Sequence, residues 1–376
     1  MNSLKTMAKT TSKNKISFIL PSLVGGGAEK VFINLALYFS NKNYNVEIVT
    51  IQNKQDYNLD FEKTKIKLIN YRKSKSIYGF ISLYKYLRDT NSAVVYSTIS
   101  HINIMVFLIN IFLKKKIIYR ESNNFELNLQ NKNILAKLFY NIILKKIYKT
   151  SINIFPSTNL RDQIIYNYKI KNKKLFVINN PISVKFKMKT DNEINKKIIK
   201  IKNNFNKIIL NVGSFTKQKN QIDLIETFYK LKDFKKTCLI LVGKGSLKNE
   251  LIKKILKRKI ENNVFIFDFQ NNLDIFYDSA DLYVLTSLWE GFPNVLLDAA
   301  SYNIPIISYD CNYGPSEILE NGQYGALCQV SDKYKLKELI ELGLKNKLKT
   351  IPKEILDLKY SLNKIGKKYE QLIYNV

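Results

Sequence analysis

From Ile16 onward the sequence alternates short apolar runs with segments whose apolar residues recur at helical spacing, and this alternation constrains the fold more than any single residue. "ISFILP" reads as a strand, "SLVGGGAEK" as a glycine loop, "VFINLALYFSN" as a helix and "NVEIVTI" as the next strand, which together make a βαβ unit. "AVVYST" (Ala93 to Thr98), "KIIYRE", the basic amphipathic "NILAKLFYNIILKKIYK" (Asn133 to Lys149), "INIFPST" and "KLFVINNP" continue the theme. The polar stretch from Ser183 to Asn206 breaks it. "KIILNVGSF", "CLILVGKGS", "NVFIFDF", "DLYVLTS" and "IPIISYD" then resume it, with helical segments between them. Apolar strands separated by helices need a parallel sheet covered on both faces, because each crossover packs back over the sheet it left.

The expected fold is therefore α/β, with two Rossmann-like, doubly wound domains facing a central cleft. The boundaries read as a disordered basic leader over 1–15, an N-terminal domain over 16–186, a linker over 187–206, a C-terminal domain over 207–357, and a C-terminal helix over 358–376 packing back toward the N-terminal domain. That helix carries Leu362, Ile365, Tyr369, Leu372 and Ile373 on one face. A chain of 376 residues agrees with two domains, since one hydrophobic core serves about 100 to 200 residues.

Cys238, Cys311 and Cys328 form no C-x-x-C pair and read as reduced thiols of a cytoplasmic protein, with no metal site. "MNSLKTMAKTTSKNK" leads straight into a strand broken by Pro21, too short an apolar run for a signal peptide. The most apolar stretch, Ile102 to Lys116, falls short of the ~20 residues that a bilayer span needs. Lys and Arg number 61 against 31 Asp and Glu, a net charge of +30 spread along the chain. Such an excess either favours phosphates, anionic lipids or nucleic acid, or reflects a Lys-, Asn- and Ile-rich composition with solvated lysines. No zinc-finger spacing or RNA-recognition signature points to nucleic acid.

In doubly wound sheets ligands sit outside the carboxyl ends of the strands, so the chemistry belongs in the strand-to-helix loops. Gly25, Gly26 and Gly27 fill the first of these, either as a close approach to a phosphate or sugar or as a tight turn. "NVGSFTKQKN" (Asn211 to Asn220) places Lys217 and Lys219 just before a helix, where a lysine offers a point charge to a diphosphate. "VGKGS" (Val242 to Ser246) lacks the spacing of a P-loop, which excludes that class of NTPase. In "SLWEGFPNVLLDAA" (Ser287 to Ala300), Pro293 suits the first turn of a helix. Glu290 stands before that helix and Asp298 more than one turn into it. Carboxylates accept hydrogen bonds from hydroxyls and a helix start suits phosphate oxygens, so this arrangement matches a sugar nucleotide, with a polyol on either side of its diphosphate.

"EGFPNVLLDAA" resembles the E-x7-E signature of the family 4 retaining glycosyltransferases, which have the GT-B fold. "SLVGGGAEK", "VGSFTKQKN", "LILVGKG", "YDSADLYVLTS" and "GPSEIL" are similar to that family's other blocks, in the same order. The resemblance implies that Glu290 binds hydroxyls of the donor sugar and that the amides of Gly291, Phe292 and Pro293 meet the sugar and the diphosphate. It further implies that Asp298 holds the ribose hydroxyls, that Lys219 neutralises the departing β-phosphate, and that Gly26 and Gly27 close the site from the other domain. Ser214, Lys217 and Asn294 complete the expected donor-binding set. Two positions depart from the pattern: Ser214 follows Gly213 where the family usually has Arg, and Asp298 stands where Glu is usual.

His101, the only histidine, follows a strand, either as a contact to the donor sugar or as a polar cap. Arg120 and Glu121 in "YRESNN" are candidates for the acceptor side. No metal or other cofactor is expected, because no D-x-D motif stands in a suitable place. The expected partners are a nucleotide-sugar donor, probed first as a UDP-hexose or UDP-N-acetylhexosamine, and a saccharide acceptor linked to a polyprenyl diphosphate. "INIMVFLINIFLKKK" and "LAKLFYNIILKKIYK" set apolar faces beside lysines, either as core-facing helices or as a peripheral contact with an anionic membrane on its inner, cytoplasmic side. Capsule, lipopolysaccharide or glycan assembly is the matching role. The rival readings are a GT-B sugar-nucleotide epimerase, which needs no acceptor, and a basic nucleic-acid-binding protein.

Overall fold

The computed structural model describes residues 14–54, 64–123, 133–184 and 191–375. Most of the leader expected over 1–15, and residues 187–190 of the expected linker, lie outside them. The chain divides into two compact units, Met1–Ser183 with Ser361–Val376, and Val184–Tyr360.

Seven parallel strands form the sheet of the first unit: β1 (Lys15–Leu20), β2 (Asn45–Gln52), β3 (Ile66–Lys73), β4 (Val94–Thr98), β5 (Ile117–Arg120), β6 (Ile152–Phe155) and β7 (Leu175–Val177), in the order β3-β2-β1-β4-β5-β6-β7. The second unit repeats the scheme with β8 (Lys207–Val212), β9 (Thr237–Val242), β10 (Val264–Phe267), β11 (Leu282–Leu285), β12 (Ile306–Tyr309) and β13 (Ala326–Cys328), ordered β10-β9-β8-β11-β12-β13. Each sheet is wound outward both ways from its first strand, so the switch points fall between β1 and β4 and between β8 and β11. β1, β4, β8, β9 and β11 are almost wholly buried, which is why they read as continuous apolar runs.

In the first unit Phe18 packs among Phe32, Phe39 and Tyr96, at ring-centroid distances of 5.0, 6.1 and 5.3 Å. Helix Ser100–Leu113 lies in this core: Ile102, Ile104, Met105, Val106, Phe107 and Ile109 are all buried, so the apolar half of "INIMVFLINIFLKKK" serves packing and only Ile111 and Phe112 face outward. Helix Ile134–Thr150 has the opposite character. Leu144, Ile147 and Tyr148 are buried, whereas Ile134, Leu135, Leu138, Phe139 and Ile142 are half or more exposed.

The linker stretch contains a helix, Asn192–Asn204. Asp191 caps it by accepting from the Glu193 and Ile194 amides, and Ile198 and Ile201 are buried along one face. Its apolar residues are four isoleucines, of which Ile198 and Ile201 are buried and Ile199 is exposed, enough to dock a helix although the stretch as a whole is polar.

The last helix, Leu362–Asn375, belongs to the first unit, and a separate helix, Lys353–Tyr360, precedes it in the second. Ile365, Tyr369, Leu372 and Ile373 are buried. Glu370 accepts from the Tyr38 and Tyr44 hydroxyls at 3.0 and 2.9 Å, and the Tyr96 hydroxyl donates to the Tyr369 carbonyl at 2.8 Å. Gly366 allows this approach, because a Cβ there would stand 2.5 Å from Cγ of Tyr38. Gly366→Ala is expected to lower stability by about 1–3 kcal/mol through overpacking, outweighing the ~1 kcal/mol that alanine gains in helix propensity. A thermal melt of the variant checks this, and an unchanged or higher Tm would contradict the packing described.

Candidate functional site

The strongest constellation lies at the switch point of the second sheet, where the loops after β8 and β11 are laced together. The Leu288 amide donates to the Gln218 carbonyl at 2.8 Å, and Gln218 Nε2 donates to the Trp289 carbonyl at 2.8 Å. Thr286 Oγ1 donates to the Lys219 and Asn220 carbonyls at 3.2 and 3.1 Å. From this framework Lys219 Nζ meets Glu290 Oε1 at 2.5 Å. The two side chains are 17% and 7% exposed, so each is the other's main compensation for lost water.

Close backbone approach shapes the floor of this site. A Cβ on Gly243 would stand 1.9 Å from the Gly213 carbonyl oxygen, so only glycine lets the loop after β9 lie against the lysine loop. Ser214 and Lys217 are exposed in that loop, and of its two lysines it is Lys219 that engages Glu290.

Helix Asn294–Ser301 begins directly after Glu290, Gly291 and Phe292. Pro293 is its N-cap and stands outside the first turn; no side chain caps the helix start. One expectation needs correction here. Proline has no N–H, so among Gly291, Phe292 and Pro293 only the first two can donate, and Asn294, the first helical residue, supplies the next amide. Phe292 is buried, with its ring 6.0 Å from that of Tyr360. Asp298 lies one turn on and is 6% exposed. Burial pushes the hydroxyls of Tyr277 and Tyr283 well above the usual phenol range, helped at Tyr277 by the Asp298 carboxylate and at Tyr283 by Glu290 and then Asp298, against a hydrogen bond from the Val212 backbone. Burial and Glu290 likewise push the Cys311 thiol up, which leaves that cysteine a neutral neighbour of the acid and a poor nucleophile.

The corresponding loops of the first sheet carry the other candidates. Gly25 has φ +86°, a value that favours glycine, and Gly26 is the N-cap of helix Gly27–Asn41. The sequence reading missed Glu29. Its carboxylate accepts from the Gly26 amide and the Ser22 hydroxyl, both at 3.0 Å, and from the Val24 and Gly25 amides. Glu29 is 3% exposed; burial raises its carboxyl, while the loop donors oppose that shift. The Gly26 amide is thus engaged within the loop by the chain's own carboxylate, and Gly27 opens the helix. The signal was present as a glutamate three residues after the N-cap, the spacing of a capping box.

His101 is the second residue of helix Ser100–Leu113, with Nε2 3.4 Å from Ser76 Oγ, which itself accepts from Gln52 Nε2 at 2.7 Å. Ile99 before it has φ 70°, an unfavourable conformation for a β-branched residue, held at the β1–β4 switch point. Arg120 and Glu121 are 1% and 2% exposed and bond to neighbours within the first unit, although Arg120 Nε is buried without a partner among the described residues. Arg120 donates to Asn180 Oδ1 at 2.5 Å and to Thr98 Oγ1 at 3.3 Å. Glu121 accepts from Ser100 at 2.8 Å and Asn103 at 3.2 Å in the first turn of that same helix. Burial raises the Glu121 carboxyl to about 6 against these donors.

Among the described residues no group of three or more His, Cys, Asp or Glu side chains could hold a metal ion, and no helix is long and apolar enough to cross a membrane.

Comparison with known proteins gives this geometry a family. Residues 25–186 match the model described as Glycosyltransferase Family 4, and residues 191–359 the model described as Glycosyl transferases group 1. A glycosyltransferase of Methanocaldococcus jannaschii is 34% identical over 231 residues, 58% of this chain and 56% of that protein, so the match spans just over half of that relative's length. The N-acetylgalactosamine-N,N'-diacetylbacillosaminyl-diphospho-undecaprenol 4-alpha-N-acetylgalactosaminyltransferase of Campylobacter jejuni is 26% identical, with 89% of this chain and 94% of that one aligned. The structure of Anabaena HepE in complex with UDP and glucose superposes with a TM-score of 0.77 at 16% identity, covering 96% of this chain and 100% of that one, which is a likeness of fold. With one family model on each sheet and Lys219 and Glu290 paired at the second switch point, the chain belongs to the family 4, group 1 glycosyltransferases of GT-B fold.

Proposed function

We propose that this glycosyltransferase moves a hexose or N-acetylhexosamine from a UDP-sugar to a saccharide carried on a polyprenyl diphosphate, with retention at the anomeric carbon, in bacterial surface polysaccharide or glycan assembly. The observation that carries the reading is the Lys219–Glu290 pair beside the start of helix Asn294–Ser301. A donor offers each partner a replacement: phosphate oxygens for the ammonium, sugar hydroxyls for the carboxylate. The Gly291, Phe292 and Asn294 amides and the helix dipole add positive potential where the diphosphate accumulates charge. Asp298 takes the ribose hydroxyls. As the bond from the anomeric carbon to the β-phosphate oxygen breaks, the departing diphosphate keeps the electron pair. It takes the proton of the acceptor hydroxyl, whose oxygen then bonds the same face. The charge is met by Lys219 and the helix start, so the reading includes no metal.

The names of relatives support the acceptor class, since the Campylobacter enzyme acts on a diphospho-undecaprenol-linked sugar. The surface of helix Ile134–Thr150 supports a membrane site of action. Leu135, Leu138, Phe139 and Ile142 recur at intervals of three and four and are exposed, and Lys145, Lys146 and Lys149 follow them, exposed as well. An apolar stripe followed by lysines fits an anionic bilayer, and we assign it to the inner face of the cell membrane.

Three outcomes follow. Lys219→Met and Glu290→Gln should each lower the transfer rate about 10²–10³-fold in a radiolabelled-sugar assay, and EDTA should leave the parent rate unchanged. Glu290→Ala should also cost about 2 kcal/mol in a denaturant melt, less than the ~3–5 kcal/mol of a fully buried broken pair because Lys219 keeps some solvent. The double variant Lys219→Met, Glu290→Gln should regain that stability and stay inactive, whereas a parental rate in either single variant would refute the assignment. Leu138→Ser with Ile142→Ser should weaken flotation with phosphatidylglycerol-containing vesicles at least about tenfold, given ~1.5–3 kcal/mol per buried apolar side chain. Equal binding would remove the membrane role from this helix.

A further inference from the structure

We propose that Thr286, just beyond the carboxyl end of β11, is a positioning residue for sugar transfer. It holds the backbone on which the Lys219 side chain is mounted, and this rests on the assignment of Lys219 to the donor diphosphate. Thr286 is fully buried, so it touches no substrate itself. Its hydroxyl serves two consecutive carbonyls, Lys219 at 3.2 Å and Asn220 at 3.1 Å. Two successive carbonyls converge on one donor only where the chain turns sharply, and Asn220 supplies the turn with φ 46° and ψ 44°, a left-handed conformation that asparagine tolerates better than most residues.

A second anchor holds the same turn from the other side. Asn220 Nδ2 donates to Asp223 Oδ2 at 2.8 Å, the Tyr309 hydroxyl donates to that same oxygen at 3.1 Å, and Lys333 Nζ stands 3.4 Å from the other. The Lys219–Asn220 unit is therefore clamped between the strand that leads to Glu290 and the helix that follows the lysine. Lysine is a point charge on a flexible stem, so its Cα position determines which oxygens the ammonium can reach. One strand end thus sets the place of both members of the pair, Glu290 through the chain and Lys219 through a hydroxyl.

The test uses the full chain and two probes, UDP and UMP, with GDP and GMP run alongside. Only a diphosphate offers Lys219 a β-phosphate, so the ratio of diphosphate to monophosphate affinity reads the lysine. By calorimetry, Lys219→Met should collapse that ratio, and Thr286→Val, which removes the hydroxyl at nearly constant volume, should lower it about fivefold to tenfold, the weight of one or two hydrogen bonds. Thr286→Ser should restore it to within about twofold, and Thr286→Val added to Lys219→Met should lower it no further. Should Lys219→Met leave the ratio at the parental value, or should no nucleotide bind, the underlying assignment of the lysine fails. Should Lys219→Met collapse the ratio while Thr286→Val leaves it intact, weakens UMP equally, or is not rescued by serine, Thr286 has no positioning role.

Discussion

A parallel sheet wound both ways from its first strand has a point where two neighbouring loops leave in opposite directions, and the chemistry of this chain depends on that gap. In the second unit it lies between β8 and β11, and the loops that meet there carry Lys219 and Glu290. Five hydrogen bonds tie these loops, one of them between the two charged side chains. The sheet order therefore brings together two residues 71 positions apart. The first unit shows the same logic with different contents: Glu29 organises the glycine loop after β1, and the strained Ile99 sets the helix of His101 after β4.

The Lys219–Glu290 pair is better understood as a device for function than as a source of stability. Both side chains are largely removed from water, and a buried pair regains in attraction roughly what it loses in hydration. What it secures is readiness. Each charge is held in place by the other, with one loop laced to the next, so on the proposed function little reorganisation would be needed for phosphate and hydroxyl groups to take over the two roles. The neighbouring groups do not compete for those roles. Cys311 is held as a neutral thiol, and Tyr277 and Tyr283 stay protonated hydroxyls.

Much of this was legible in the sequence because fully buried parallel strands read as apolar runs. The segments "ISFILP", "AVVYST", "KIILNVGSF" and "DLYVLTS" cover nearly all of β1, β4, β8 and β11; Gly27 and His101 open the helices after the first two, and Lys219 and Glu290 stand in the loops after the others. What stayed hidden depends on burial and on partners distant in the chain. That Arg120 and Glu121, at the end of β5, are buried among Asn180, Thr98, Ser100 and Asn103 cannot be read from the sequence. Helix Asn192–Asn204 was masked by its lysines, since docking required only a sparse apolar face. Glu29 was visible as spacing but not as an acceptor for the amides of Val24, Gly25 and Gly26.

The two lysine-flanked apolar segments show most plainly where composition stops being informative. Residues 102–116 and 134–149 both set apolar residues beside lysines, yet the first supplies core and the second leaves its apolar stripe outside. The difference is positional. Helix Ser100–Leu113 follows β4, at the switch point in the middle of a seven-stranded sheet, so sheet and neighbouring helices cover it on several sides. Helix Ile134–Thr150 follows β5 toward the sheet's far edge, where Leu144, Ile147 and Tyr148 meet the requirement for burial and nothing among the described residues covers Leu135, Leu138, Phe139 and Ile142. On the proposed membrane role, an anionic surface would cover this apolar stripe, which the described residues leave exposed and lysines follow.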